Sequence, residues 1–465
     1  MKNTRLLRAL WGCALLALAA CSVGPAYKRP DIPLPAQWRD APEQEASAVW
    51  PNSDWWHGFG SETLDDLIGQ AQRNNDDLAG AIARIREADA QVRIAGAPLL
   101  PSLDFDASAT RQHARLTSLG NTTTFNTFNT EFFASYELDF WGKNRASLPA
   151  ARATALASRY DKETVALTVI SSVATTYFQA LEFRDRLQVA RSNLANGEQI
   201  LHGFQLEQTA GIATGLDVAQ QETTVALLRA AIPPLEQQFR QTVNALAVLI
   251  GKTPEDIAVD TGTLTSLTIP PIVEGLASQL LSRRPDIAES EQQLISANAN
   301  ITVARAALFP NIQLTASGGY VSPALASLIS PAGRIWALSA GLTQPIFHGG
   351  ALRGQVQFSN ARYAELLSAY HKTVISAFSN VENALVAAQQ TTEQQLRQQE
   401  AVEKARRAFQ FAETQMSAGT ANILTVLNTE NALFSAQDEL VQIQFLHLQS
   451  LVNLFTALGG GWQRG

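Results

Sequence analysis

The chain repeats itself once, at a spacing of about 208 residues. Pro101 returns as Pro310, Gly142 as Gly349, Gly211 as Gly419 and Gly251 as Gly459. A spacing this steady means that the turns between elements have kept their places since a tandem duplication. Solenoid repeats run to about 20–50 residues, so this is no solenoid. Each copy has a Leu- or Phe-Pro turn, two alternating segments around a polar loop, then two long helical stretches meeting at a glycine. Two matched halves suit a wall, ring or tube better than a catalytic cleft.

The N-terminus sets the compartment. Lys2, Arg5 and Arg8 form a positive region, residues 14–18 centre a short apolar stretch, and Ala19 and Ala20 precede Cys21. Residues 1–20 read as a secretory signal peptide, too short to span a membrane. Leu-Ala-Ala-Cys resembles a bacterial lipobox, which makes Cys21 the lipidation residue, and Ser22 after it resembles the sorting signal for the outer membrane. The other cysteine, Cys13, lies in the part removed, so no thiol is left for a disulfide, a metal or a nucleophile. The formal charge of −7 becomes more negative once Lys2, Arg5 and Arg8 are lost, which argues against a nucleic-acid partner.

Beyond Cys21 there is no continuous apolar run of about 18 residues, so no membrane helix is expected. Crossing a bilayer would fall to strands closed into a barrel. Period-2 alternation predicts strands at 102–112, 128–140, 311–321 and 334–347. Phe128, Phe132, Ala134, Tyr136, Leu138 and Phe140 share one face of the second, with Thr130 the exception, and Asn129, Glu131, Ser135, Glu137 and Asp139 take the other. Leu103, Phe105, Ala107 and Ala109, then Ile312, Leu314 and Ala316, then Trp336, Leu338, Ala340 and Leu342 make the matching faces. Aromatic residues gather at the ends, as in interfacial girdles. A half-buried soluble sheet alternates in the same way, but the leader and the lack of any other spanning segment favour a barrel. Four strands cannot close alone. Two copies would give the minimum of about eight strands with little room inside, and three give about twelve around a wet lumen. A homotrimer is the expectation.

Helices are predicted at 63–95, 144–208 and 217–250 in the first copy, and at 286–307, 354–416 and 422–458 in the second. The longest would be rods of roughly 90–100 Å. One carries a heptad seam: Tyr370, Val374, Ala377, Val381, Ala384, Ala388, Thr391, Gln395, Gln398, Val402, Ala405, Phe409, Ala412 and Met416. Its middle is polar. Pro233-Pro234 interrupts the first return helix and has no counterpart in the second, so a kink or break is expected there. Residues 21–60 read as an extended arm, 61–251 and 286–459 as the two repeats, 252–285 as a linker and 460–465 as a tail.

At this point the residues resemble a family. Cys21 to Tyr27 with Pro30, Trp55-Trp56 before Phe59-Gly60, Arg283-Arg284-Pro285-Asp286-Ile287, Phe309-Pro310-Asn311-Ile312, and Pro345 to Gly350 occur in order. Together they resemble the TolC-like outer-membrane efflux factors, in particular the lipoprotein branch (OprM/NodT type) serving resistance-nodulation-division pumps. The resemblance covers nearly the whole chain beyond the leader. It implies a mixed α and β membrane protein: a trimeric twelve-stranded β-barrel, four strands per chain, continued by a long periplasmic α-helical barrel with a small mixed equatorial region. It implies a passive, gated exit duct for small molecules such as drugs and toxic organics, lipid-anchored in the outer membrane of a Gram-negative bacterium. An inner-membrane RND pump would drive it through a periplasmic membrane-fusion adaptor.

The resemblance places the gate at the periplasmic tips, residues 210–218 and 418–426. Gly211 and Gly419 suit the turns, Thr214 or Asn422 could cap the following helix, and Asp217 matches the family's aspartate. Thr425 lies in the second tip. Where relatives often carry a ring-forming aspartate stands Asn428, and Gln415-Met416 replaces an arginine-aromatic pair. A gate held by amides, Asp217 and packing is expected. The six histidines are scattered without metal-ligand spacing, no G-x-S-x-G elbow occurs, and Gly251-Lys252-Thr253 reads as a helix end, so neither catalysis nor a cofactor is expected. The rival reading is a periplasmic coiled-coil structural or adaptor lipoprotein without a channel.

Overall fold

The computed structural model describes residues 23–33, 38–39, 50–115, 122–259, 261–271 and 280–464; the leader, Cys21 and part of the arm lie outside them. In chain order come α1 (Glu62–Asn74), α2 (Asp76–Gly96), β1 (Ser102–Arg115), β2 (Thr122–Leu138), α3 (Lys143–Thr209) and α4 (Gly215–Leu249). Then follow α5 (Leu280–Arg283), α6 (Pro285–Ala306), β3 (Asn311–Ser322), β4 (Arg334–Thr343), α7 (Ala351–Ser417) and α8 (Ile423–Ala457). The chain divides into two compact units. One comprises Met1–Asp31, Arg84–Arg159 and Glu289–His371, the other Ile32–Ala83, Tyr160–Ala288 and Lys372–Gly465.

The first unit holds one antiparallel sheet in the order β1-β2-β3-β4. Its register carries the apolar face from strand to strand. Leu103 faces Ala134, which faces Ala316, which faces Leu338, and Phe105 faces Phe132, Gly318 and Trp336 in the same way. The Phe105 and Phe132 rings sit 5.0 Å apart. The opposite face pairs Asp106 directly with Glu131, like charges that only water can screen. Yet the apolar face is uncovered: Leu103 is 69% exposed and Trp336 78%. β1 and β4 each leave one edge unpaired within the chain.

Several strand ends depart from expectation, β1 first: it runs to Arg115 rather than 112, in step with β2. β2 begins at Thr122, because backbone pairing with β1 continues through a polar stretch that alternation does not mark. It ends at Leu138 rather than 140, because Asp139 is recruited to α3: its carboxylate accepts from the Asn144 and Arg145 amides at 3.1 and 2.6 Å, capping the helix. β4 stops at Thr343 rather than 347, just before Pro345, which has no amide for a ladder. Beneath the sheet, Trp141 stacks on Phe309 at 4.7 Å and donates to the Pro310 carbonyl at 2.8 Å.

The second unit is built on a core of Trp55, Phe59, Leu64, Ile68, Val173, Tyr177, Phe178, Leu246, Ile250, Leu451 and Phe455. One stretch of α3 is, by length and composition, apolar enough to cross a membrane, contrary to the sequence expectation. Residues of α3 from Val169 to Leu181 spend their apolar character on this core. The expected helix 63–95 is broken at Asn75, whose backbone is extended (ψ 128). Its side chain does two jobs: Oδ1 accepts from the Leu78 amide at 3.1 Å, and Nδ2 donates to the Leu249 carbonyl at 2.9 Å, capping the end of α4. In the second copy the break falls at Arg284, which donates to the Ala457 carbonyl of α8 at 2.8 Å and pairs with Asp286 at 2.6 Å. Two different side chains thus hold equivalent helix ends.

No break occurs at Pro233-Pro234: α4 runs through both. Each proline lacks one amide, but both prolines, and Arg229 and Ala230 whose carbonyls lose their donors, are at exposed positions. The seam of α7 is buried at Tyr370, Val374, Ala377, Val381, Ala384, Ala388, Val402, Phe409 and Ala412. Its polar middle is bonded: Thr391 meets His447 and Ser450 at 3.3 and 3.2 Å, and Gln398 donates to the Ala436 carbonyl at 3.0 Å. The described arm lies on helices, with Pro25 accepting from Asn298 at 3.0 Å and Arg29 pairing with Glu291 at 3.2 Å. Further on, the Arg39 amide donates to Glu382 at 2.9 Å.

The repeated glycines have φ between +57° and +89°, and two of them also lack room. A Cβ on Gly251 would come 2.3 Å from the Asn74 carbonyl oxygen, and one on Gly459 2.0 Å from that of Arg283. At Gly419 nothing lies within 4 Å. Gly459→Ala is therefore expected to destabilise the second unit by about 2–4 kcal/mol, from left-handed strain plus backbone displacement, against about 1–2 kcal/mol for Gly419→Ala. Denaturant melts of the two variants in detergent check the order.

Candidate functional site: the paired helix turns

The helix pairs α3/α4 and α7/α8 reverse direction at two turns built on one plan. In the first, Gly211 (φ +74°) ends α3, with its amide donating to Gln208 at 2.9 Å and that of Ile212 to Glu207 at 2.9 Å. In the second, Gly419 (φ +70°) donates to Met416 at 2.8 Å and Thr420 to Gln415 at 2.8 Å. Both follow the glycine-terminated pattern in which a left-handed residue lets the next amides close the last carbonyls.

The starts of α4 and α8 differ. Thr214 and Asp217 form a reciprocal capping box: the Asp217 amide donates to the Thr214 hydroxyl at 3.3 Å, and the Thr214 amide and hydroxyl both donate to Asp217 Oδ2 at 2.7 Å. The side-chain bond from Thr214, and then the backbone one, hold the Asp217 carboxyl below the usual carboxylate range. In the second turn Asn422 caps alone, its Oδ1 accepting from the amide and hydroxyl of Thr425 at 3.1 and 3.0 Å. Thr425 thus sits where the first turn has Asp217, and supplies no charge. Asn428 is exposed.

Packing holds the two turns together. Phe204 and Val218 of the first pair cluster with Ile423 and Leu427 of the second, and Met416 packs against them. A second cluster behind joins Val402, Phe409, Val426, Leu433 and Phe434. The structure therefore brings Gly211, Thr214, Asp217, Gly419, Asn422 and Thr425 into two adjacent turns. Among the described residues, Asp217 bonds only within its own turn.

Sequence reasoning missed two features. Ile212, Leu216 and Leu424 are exposed at the turns, with Ile212 76% accessible. Glu430 is wholly buried, although it lies only about two turns beyond the Asn422 cap. A signal for it existed, since Ile423, Val426, Leu427, Leu433 and Phe434 mark an apolar stripe of α8 that Glu430 interrupts.

The family model described as outer membrane efflux protein matches residues 67–252 and again 276–460. Among curated relatives, the pyoverdine export outer membrane protein OpmQ of Pseudomonas putida is 40% identical over 456 residues, 96% of each chain. The cation efflux system protein CusC of Escherichia coli K12 is 31% identical, covering 97% of this chain and 98% of its own. Among solved structures, the open state of the Neisseria gonorrhoeae MtrE outer membrane channel superposes with a TM-score of 0.85 at 28% identity, covering 96% and 99% of the two chains. The Campylobacter jejuni CmeC outer membrane channel gives a TM-score of 0.89 at 25% identity over 95% and 96%. With a duplicated sheet-and-helix plan, a match to each half and relatives aligned along nearly their whole length, this chain belongs to the outer membrane efflux protein family.

Proposed function

We propose that three copies of this chain close a twelve-stranded barrel in the outer membrane, anchored by a lipid on Cys21, as the exit duct of a tripartite efflux pump. The observation that carries this is the sheet with one uncovered apolar face and two unpaired edges. In water that surface is costly, and in lipid it is what a barrel wall requires. A coiled-coil lipoprotein without a channel has no use for it. The Asp106–Glu131 face then lines a wet lumen. Periplasmic adaptor and inner-membrane RND transporter are the partners this reading entails; relatives named for pyoverdine, cations and toluene span cargo chemistries too different for one pocket in the duct to select. The paired turns act as the gate, held by amide caps, by Asp217 and by the apolar cluster across them. Exposed Ile212, Leu216 and Leu424 offer the adaptor an apolar grip.

Barrel closure has a definite register. If β4 meets β1 of the next copy as β2 meets β3 within the chain, Ser339 falls opposite Thr110 and Gly341 opposite Ser108. Cys13 and Cys21 are the only natural cysteines, so engineered pairs report cleanly. Oxidising Thr110→Cys/Ser339→Cys should give covalent multimers resistant to boiling in SDS. Thr110→Cys/Gly341→Cys, displaced by a diagonal of about 7–8 Å, should stay monomeric, since disulfide Cβ atoms lie about 3.5–4.5 Å apart. Monomers from both pairs would refute the closure.

Asp217→Ala should cost the first turn about 1 kcal/mol by removing half of its capping box. The expected result is faster amide exchange at 212–218 with no change at 420–426. Because the Asp217 carboxyl lies below its ordinary value, the box contributes at neutral pH and is lost as pH falls below about 3.8 through that lowered value. Wild-type exchange at 212–218 should accelerate there, and that of Asp217→Ala should not. In planar bilayers the variant should open more often; conductance and opening equal to wild type would remove Asp217 from the gate.

A further inference from the structure

Glu430 takes no part in the hydrogen bonds that cap either turn. It is the eighth residue of α8, about 10 Å along from the turn, and none of its surface is exposed. Among the described residues, no donor reaches either carboxylate oxygen in good hydrogen-bond geometry. From α4 the Gln221 amide stands beside it, equally buried; that amide's nitrogen donates to the Gly197 carbonyl of α3 at 3.1 Å, and its oxygen is also unpartnered. Gly197 lies alongside: a Cβ there would stand 3.6 Å from Glu430 Oε1, in ordinary van der Waals contact. The counterpart in the first copy, Glu222, points to solvent. The nearby Gln221 NH2 group already donates to Gly197, so a charged carboxylate here is short of donors, and a proton on the carboxyl removes that need.

The charges around it offer no relief. From α7, Glu413 adds a like charge. On α3 and α4, Glu198 and Arg229 satisfy each other at 2.6 Å at exposed positions. Burial, opposed by the Gln221 amide and reinforced by Glu413, pushes the Glu430 carboxyl up to about 7. An acid raised in the packed state favours that state fully at low pH. The preference fades as pH rises from its ordinary value near 4.5 and is gone above about 7.

We propose that Glu430 is a proton-operated wedge in the tip: uncharged, it lets α8 pack against α3 and α4, and ionised, it forces that packing apart and frees the turn to open. The last step rests on the turns being the gate; the loosening does not. The site takes a proton and nothing larger.

Two readouts on the full-length protein in detergent or bilayers separate these steps. Amide exchange at 424–434, corrected for its intrinsic pH dependence, should lose protection by up to about tenfold per pH unit between about 4.5 and 7 in wild type. In Glu430→Gln, which mimics the protonated side chain, protection should stay flat and high. Glu413→Gln should move the window down in pH, because a like charge is gone. Protection that ignores pH in wild type, or falls equally in Glu430→Gln, overturns the wedge; the wild-type measurement decides this even if the variant folds poorly. Opening frequency in planar bilayers should rise over the same window and be flat in Glu430→Gln. Exchange that follows Glu430 while opening does not would uphold the wedge and remove the gate assignment instead.

Discussion

Inside a bilayer a backbone N–H or C=O without a partner costs several kcal/mol, and no water is there to supply one. A sheet of four strands with two open edges therefore cannot stand in lipid by itself. That constraint explains why β1 and β4 are left unpaired within one chain, why the apolar side chains of all four strands fall on one face, and why the first proline after β4 comes only at Pro345. It also accounts for the other face. Asp106 against Glu131 would be a liability in a dry core and is tolerable beside water.

The helices obey a different rule. A helix of 67 residues spans roughly 100 Å and draws its stability from packing along a stripe. The seam of α7 is made largely of alanine and valine, which lets neighbouring backbones approach closely at modest apolar gain per residue. Where the seam turns polar, the donors and acceptors of Thr391 and Gln398 are used, so the interruption costs little. These core-position polar residues keep their hydrogen bonds within the packed helices.

Duplication supplies the geometry, and divergence within it supplies the function. Asn75 and Arg284 cap equivalent helix ends with an amide in one case and a guanidinium in the other. Thr214 with Asp217, and Asn422 with Thr425, solve one capping problem with and without a charge. Glu222 and Glu430 occupy matching places, one in water and one in an apolar interior. Each pair shares a backbone position and differs in electrostatics, which is how two halves of one wall can respond differently to pH.

Much of this was legible in the residues because it follows from local periodicity. Alternation marked all four strands and their apolar face, the 4,3 spacing marked the seam, and the repeated glycines marked the turns at 142 and 349, 211 and 419, and 251 and 459, since left-handed φ leaves few alternatives. Other features depended on atoms distant in sequence. Asn75 ends α1 because the Leu249 carbonyl is there to be capped, and Asp139 leaves β2 because the α3 amides are. Pro233-Pro234 leaves α4 unbroken at a place where Arg229 and Ala230, whose carbonyls lose their donors, are exposed. The two-fold plan and most of the elements follow from local period, and the outer-membrane setting from the leader and the resemblance, because these signals are written residue by residue. Which carboxyl ends up buried and short of donors was settled by packing, because burial belongs to α3, α4, α7 and α8 together and to none of them alone.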